Sequence, residues 1–172
     1  MAAVGAPQDR IVKPSEGDWI PGGSVEVIAQ STQGRLSLDG QPLEADVPFP
    51  GLLSARVSAG PGRHVLVLES PDGRIEVSFF TGEEQPHGGA RPYVSHPPVA
   101  LACAHCHGVS RRGRFRFSGG CQSCHAEEAF IRVHSHPSHE LASCGMCHDA
   151  HGSAEAKLLV LPQDKACVQC HN

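Results

Sequence analysis

The first half of the chain alternates apolar and polar positions over several short runs. The runs are SVEVIA (24–29), RLSLDG (35–40), LSARVSAG (53–60), HVLVLES (64–70) and RIEVSFF (74–80). A repeat of two residues is typical of strands that bury one face, and PDG at 71–73, DG at 39–40 and GPG at 60–62 mark turns between them. The pattern predicts a small antiparallel sandwich. The predicted core residues are Trp19, Ile28, Leu38, Val57, Val67, Val77 and Phe79.

Three segments of this half resemble small bacterial immunoglobulin-like domains: IVKPSEGDWIPGGSVEV (11–27), LSLDGQPL (36–43) and AGPGRHVLVLESPDGR (59–74). The resemblance implies an all-β, Ig-like sandwich and includes no catalytic motif. The segment TGEEQPHGGARP (81–92) is rich in glycine and proline and indicates where this domain ends. The predicted organisation is an N-terminal tail at 1–10, the Ig-like sandwich at 11–82, a linker at 83–95 and a second domain at 96–172.

The second domain has too few aliphatic residues for a conventional core. Runs with helical character, such as AEEAFIRVHS (126–135), are short. Since small domains are marginally stable even with a good core, this one should depend on a bound group for its folding. We expect a mostly irregular domain with short α-helices, organised around that group.

All eight cysteines lie in the second domain, in four pairs with two residues between the members. The sequences are CAHCH, CQSCH, CGMCH and CVQCH, so histidine follows every second cysteine. The pairs are Cys103 with Cys106, Cys121 with Cys124, Cys144 with Cys147, and Cys167 with Cys170, and the histidines are His107, His125, His148 and His171. Histidine occupies 12 of 172 positions, so four such matches by chance have a probability of about one in 40,000.

C-x-x-C-H is the attachment signature of c-type haem. Two thiols add to the vinyl groups on one edge of the porphyrin, and the adjacent imidazole binds the iron as its proximal ligand. Zinc sites, redox dithiols and disulfide frameworks also use paired cysteines, but none of them requires the histidine. The sequence therefore predicts four covalently bound haems c, which would also supply the apolar filling of the second domain.

Eight further histidines are available for the far side of the four irons, and methionine offers no alternative. Met146 lies inside its own CGMCH loop and Met1 is terminal, so ligation by two histidines is expected, which implies haems of low potential. His151 follows His148 by three residues and would share its helix face, whereas two ligands of one iron approach from opposite faces of the porphyrin. His151 should therefore bind the iron of another haem, either the one at the fourth motif or one in the first pair.

The cysteine pairs belong to a repeated unit. HPPVALACAHCH (96–107) parallels HPSHELASCGMCH (136–148), and a second CxxCH follows each. Residues 96–172 resemble the doubled CxxCH family of multihaem c-type cytochromes, in which an upstream histidine and the last histidine of CHxxH are distal ligands. The first unit departs from the pattern, because it has no CHxxH and so lacks one distal ligand. His139, which is inserted in the second unit, is the favoured replacement for that ligand. The implied distal ligands are His96, His136, His139 and His151, with His134, His105 and His87 in reserve.

The formal charge of the chain is −4, and eight propionates would make the loaded protein more acidic. A nucleic-acid partner is therefore not expected. The one basic run, RRGRFRF (111–117), is interpreted either as a solvated hairpin or as a source of arginines that pair with propionates. Haem is attached to c-type cytochromes outside the cytoplasm, so we expect an exported protein, periplasmic or extracellular. MAAVGAPQDR (1–10) lacks the apolar core of a signal peptide, and no transmembrane stretch occurs.

Two classes of function are compatible with these features. Four closely spaced haems, each saturated by two histidines, leave no iron open to a substrate and predict electron transfer rather than an enzyme. The protein would be a shuttle, a subunit of a larger redox complex or the repeating subunit of a filament, with redox protein partners docked through the Ig-like domain. The alternative is a multihaem reductase, acting for example on a nitrogen or sulfur oxyanion, which needs one haem with an open coordination position.

Overall fold

Nine short strands build the first half of the chain. The structure, a computed structural model, describes residues 9–86, 88, 91–96, 102–113, 115–117, 121–125, 144–169 and 171. The strands are β1 (Arg10–Lys13), β2 (Trp19–Ile20), β3 (Ser24–Gln30), β4 (Arg35–Leu38), β5 (Gln41–Leu43), β6 (Asp46–Phe49), β7 (Leu52–Ser58), β8 (Gly62–Ser70) and β9 (Gly73–Thr81). One sheet has the order β1-β3-β7-β6 and the other the order β2-β9-β8-β4-β5. The predicted all-β sandwich is confirmed.

The core of the sandwich contains side chains from both sheets. Its buried members are Ile20, Val25, Val27, Ala29, Leu36, Ala55, Leu66, Leu68 and Phe79. The prediction of Phe79 is confirmed, Val67 is buried, and Leu38 and Val57 pack against the core as partly buried residues. The prediction of Ile28 is wrong, because alternation along β3 turns the residues on either side of it inward and leaves Ile28 half-exposed.

The second half of the described chain has only short elements. They are β10 (Val94–Ser95), β11 (His107–Val109), β12 (Phe115–Phe117), β13 (Gly152–Ser153), the helix α1 (Gln163–Val168) and several 3₁₀ turns. β10 pairs with β13 and β11 with β12, both antiparallel. The expected combination of irregular backbone and short helix is confirmed, while the helical run predicted over 126–135 lies outside the described residues.

Residues 91–95, which fall within the predicted linker, contact both halves of the chain. The backbone N–H of Tyr93 donates to the carbonyl of Trp19 at 2.6 Å, and the Tyr93 ring packs against the sandwich core. Arg91 pairs with Glu155 at 2.7 Å. None of the described helices is long and apolar enough to cross a membrane.

Candidate functional site

Three of the four cysteine motifs fold into the same tight turn. The first three residues of each form a 3₁₀ helix: Cys103–His105, Cys121–Ser123 and Cys144–Met146. In each, the N–H of the second cysteine donates to the carbonyl of the first at 3.2 Å. Side chains three residues apart eclipse one another in a 3₁₀ turn, so both sulfurs of a motif lie on one side. That is the arrangement needed to meet two groups on one edge of a ring.

The fourth motif begins in a helix instead. Cys167 lies near the end of α1, and the N–H of His171 donates to the Cys167 carbonyl at 3.1 Å. The other cysteine of this motif, Cys170, lies outside the described residues. None of the seven cysteines that the structure describes forms a disulfide, and the described chain contains no group of three or more His, Cys, Asp or Glu side chains arranged to bind a metal ion directly.

The second and third motifs lie side by side. Burial raises the pKa of the Cys121 thiol, and the Cys144 thiol raises it further through its charge and a hydrogen bond. Cys106 of the first motif adds a smaller effect of the same sign. Thiols from three motifs therefore lie close together, although 38 positions separate Cys106 from Cys144 in the sequence.

The histidine of the first motif, His107, lies next to His151. The ring centroids of His107 and His151 are 5.9 Å apart, and their planes are inclined by only 8°. His107 also contacts the rings of Phe115 and Phe117, at 4.7 and 5.8 Å. Burial, followed by the charge of His151, lowers the pKa of His107, which favours the neutral imidazole that binds metals.

The histidine of the second motif has a similar partner. The rings of His96 and His125 have centroids 5.8 Å apart and planes inclined by 22°. His96 directly follows β10, and its N–H donates to the carbonyl of His151 at 3.1 Å. The pairing of β10 with β13 therefore sets His96 and His151 next to each other, while their rings contact the histidines of different motifs.

The spacing of both ring pairs fits one iron atom between two imidazoles. Metal–imidazole bonds are about 2 Å long, so two rings bound on opposite sides of a metal have centroids roughly 6 Å apart. Such ligands also need a partner for the nitrogen that does not bind the metal. Nδ1 of His96 donates to the carbonyl of Ala150 at 3.0 Å, and Nδ1 of His148 donates to that of Lys157 at 2.8 Å. In His96 and His148, Nε2 is therefore the nitrogen available to a metal.

Of the remaining histidines, the structure describes His105 and His64. Nδ1 of the exposed His105 donates to the carbonyl of Ala102 at 3.1 Å, within the turn of its own motif. His64 lies in the sandwich, where it pairs with Asp39 at 2.7 Å. The other candidates, His87, His134, His136 and His139, lie outside the described residues.

Residues around His151 were not expected from the sequence. Lys13 donates through Nζ to the His151 carbonyl at 3.2 Å, and the Tyr93 hydroxyl donates to the same oxygen at 3.0 Å. Asp149 accepts from the N–H of His151 at 2.8 Å. Burial alone would raise the pKa of Asp149, but the hydrogen bonds and charge of His151, with the charge of Lys13, lower it overall. A lysine 138 positions from its partner leaves no local signal in the sequence.

Residues 136–172 match a family model described as the doubled CXXCH motif. The match supports a haem-binding, multihaem c-type cytochrome with covalently bound haem c, a class that generally transfers electrons and is typically exported. No curated protein matches the chain.

Among solved structures, the fibronectin(III)-like modules of CbhA from Clostridium thermocellum align at 15% identity, covering 45% of this chain and 100% of that one, with a TM-score of 0.35. The twitchin kinase region from C. elegans aligns at 14% identity, covering 44% of this chain and 16% of that one, with a TM-score of 0.29.

Proposed function

We propose that the protein transfers electrons through four covalently attached haems, each held by two histidines. The four cysteine pairs provide the thioether links, and the histidine after each pair is the proximal ligand. His107 and His151 hold the first iron between them, and His96 and His125 hold the second. When bound, each haem supplies an iron that accepts and releases one electron.

This proposal rests on two pairs of imidazole rings, His107 with His151 and His96 with His125. A backbone hydrogen bond between His96 and His151 connects the two pairs. Two sets of nearly parallel rings have centroids 5.9 and 5.8 Å apart, the separation that one metal bound through a nitrogen of each ring requires. The N–H of His96 donates to the carbonyl of His151, so ligands of two different haems are neighbours in one strand pair. Residues opposite each other in an antiparallel pair have Cβ atoms about 5 Å apart, which brings the two haems close together.

The third and fourth haems take their distal ligands from the start of the second repeated unit, HPSHELASCGMCH (136–148). Because His96 and His151 already face the two proximal histidines of the first pair, the favoured use of His139 in that pair is no longer needed. We assign His136 and His139 to the irons of His148 and His171, with His134 in reserve. With all four irons saturated, the chain offers a path for electrons and no iron open to a substrate, which is why we prefer transfer to the reductase alternative.

The proposal extends to compartment and partners. Attachment of haem c implies an exported protein, periplasmic or extracellular. Its partners would be redox proteins, or further copies of the chain in a filament or larger complex. Arg111, Arg112 and Arg116 are exposed on the β11–β12 hairpin. They are available to propionates or to an acidic partner.

Intact mass and optical spectra of the purified holoprotein test this function. The mass should exceed that of the polypeptide by four haems, and reduction should convert the whole haem complement to the spectrum of low-spin, six-coordinate haem c. Three haems, or zinc found by elemental analysis, would overturn the proposal.

A further inference from the structure

One backbone oxygen accepts three hydrogen bonds from two separate parts of the chain. The carbonyl of His151 accepts from Lys13 Nζ at 3.2 Å, from the Tyr93 hydroxyl at 3.0 Å and from the N–H of His96 at 3.1 Å. A carbonyl oxygen has two lone pairs, so two or three donors saturate it. The backbone of His151 is therefore held from β1, from the segment before β10 and from the end of β10.

Lys13 is an unusual residue to find at this point. Its side chain is only 3% exposed, and a buried ammonium is costly unless charged and polar partners surround it. Nζ pairs with Glu26 at 3.0 Å, donates to Ser95 Oγ at 3.3 Å and lies 4.9 Å from the centroid of the Tyr93 ring. Together with the His151 carbonyl, these contacts use all three of its donors.

Two partners of Lys13 lie at one end of the small β10–β13 sheet. Ser95 is the last residue of β10, directly before His96, and His151 directly precedes β13. The pairing covers only two residue pairs, Val94 with Ser153 and Ser95 with Gly152. An isolated two-stranded sheet is marginal in water even when longer, so this one needs an outside support. Lys13 supplies that support from the sandwich.

We propose that Lys13, held by Glu26 and stacked on Tyr93, is a positioning residue for the two distal ligands His96 and His151. This inference rests on the proposed function, because it concerns the ligands of the first two haems. It makes the sandwich part of the haem site: the ammonium fixes the backbone from which both imidazoles reach their irons. Losing it loosens two distal ligands together and leaves the other two haems unchanged.

The test uses the full-length holoprotein with Lys13→Met, which keeps the apolar stem and removes the charge. Carbon monoxide binds a reduced six-coordinate haem only after the distal ligand leaves, so its binding reports ligand release. We expect carbon monoxide binding about tenfold faster than in the parent protein, the order expected from loss of one hydrogen bond to a charged donor. The faster phase should account for two of the four haems, with haem content unchanged.

Two variants make the result decisive. Arg56 also faces Glu26, at 3.7 Å, but is 63% exposed, so Arg56→Met removes a charge from the same carboxylate and should leave carbon monoxide binding unchanged. Tyr93→Phe removes one donor to His151 and should give a smaller acceleration at the same two haems, and it stands in if Lys13→Met does not fold.

The outcomes separate the two proposals. Parent-like binding in Lys13→Met, or in Tyr93→Phe when Lys13→Met does not fold, overturns the positioning role while leaving the haem assignment intact. Equal acceleration at all four haems overturns it too, because the effect would then be general destabilisation. Fewer than four haems in the parent protein, or fast carbon monoxide binding by the parent protein, would instead count against the proposed function.

Discussion

His96 and His151 differ from His105 in what their rings face. The rings of His96 and His151 lie opposite His125 and His107, whereas His105 lies between the two cysteines of its own motif, inside the turn that they form. The first two therefore have the position that the proposed distal ligands require, and His105 does not.

Replacing each of these histidines by alanine should expose this difference. In His151→Ala, all four haems should remain attached, because attachment uses only thiols, and one haem should become high-spin with a shifted potential. His96→Ala should do the same at a different haem. Electron paramagnetic resonance of the oxidised variants reports the change, and His105→Ala is the matched control that should stay low-spin. A wholly low-spin His151→Ala protein that binds no added ligand would contradict the pairing.

Sequence spacing predicts some of the proposed haem ligands and not others. Spacing alone predicts the attachment cysteines and proximal histidines, because C-x-x-C-H is a local chemical pattern. The predicted separation of His151 from the iron of His148 assumes a helix, but residues 148–151 form a β-bridge and a turn instead. Spacing does not decide which haem His151 would bind. That choice depends on the pairing of β10 with β13, two segments more than 50 residues apart.

The β10–β13 pairing depends on a glycine at one position. Gly152 has a φ of +127°, a conformation that side-chain-bearing residues rarely adopt. A Cβ there would also fall inside van der Waals contact of the Val94 carbonyl and the Tyr93 hydroxyl. The two strands can approach each other only because this side chain is absent.

Gly152→Ala should therefore disturb both distal ligands through one substitution. Strain and steric overlap of about 2 kcal/mol would lower the melting temperature by about 4–8 °C, and carbon monoxide should bind faster at two haems. Gly113→Ala is the control, since Gly113 also has a positive φ, +72°, but open space around its Cα. It should lower stability slightly without changing carbon monoxide binding. Unchanged ligand binding in Gly152→Ala would show that the strand pair does not hold the ligands.

Alternation predicts the strands in which it runs over several residues, and it gives no signal for the shorter ones. The five runs with clear alternation correspond to β3, β4, β7, β8 and β9, and the turns at Asp39 and Asp72 lie where predicted. β5 and β6 contain Pro42 and Pro48, which cannot donate to a neighbour, and both are edge strands. β1 and β2 have four and two residues, too few for a periodic signal.

In its described residues, the molecule combines a domain with its own core and a region that buries almost no apolar side chains. In the described part of the second half, Leu159 is the one buried hydrophobic residue, whereas Val94, Val109, Phe117, Met146, Val160 and Val168 are exposed. Four porphyrins would cover such side chains, which accounts for a sequence with so few aliphatic residues. The sequence predicts this division from composition, but the contacts across it, from Lys13 and Tyr93 to His151, arise only in the folded chain.

The central claim is that every iron is saturated by two histidines, so that the protein carries electrons and does not act on a substrate. Electron paramagnetic resonance of the oxidised holoprotein, with spins counted against total haem, tests it most directly. We predict that low-spin ferric signals account for all four haems. A high-spin signal approaching one spin per chain would reveal an open iron and contradict the account, in favour of a multihaem reductase.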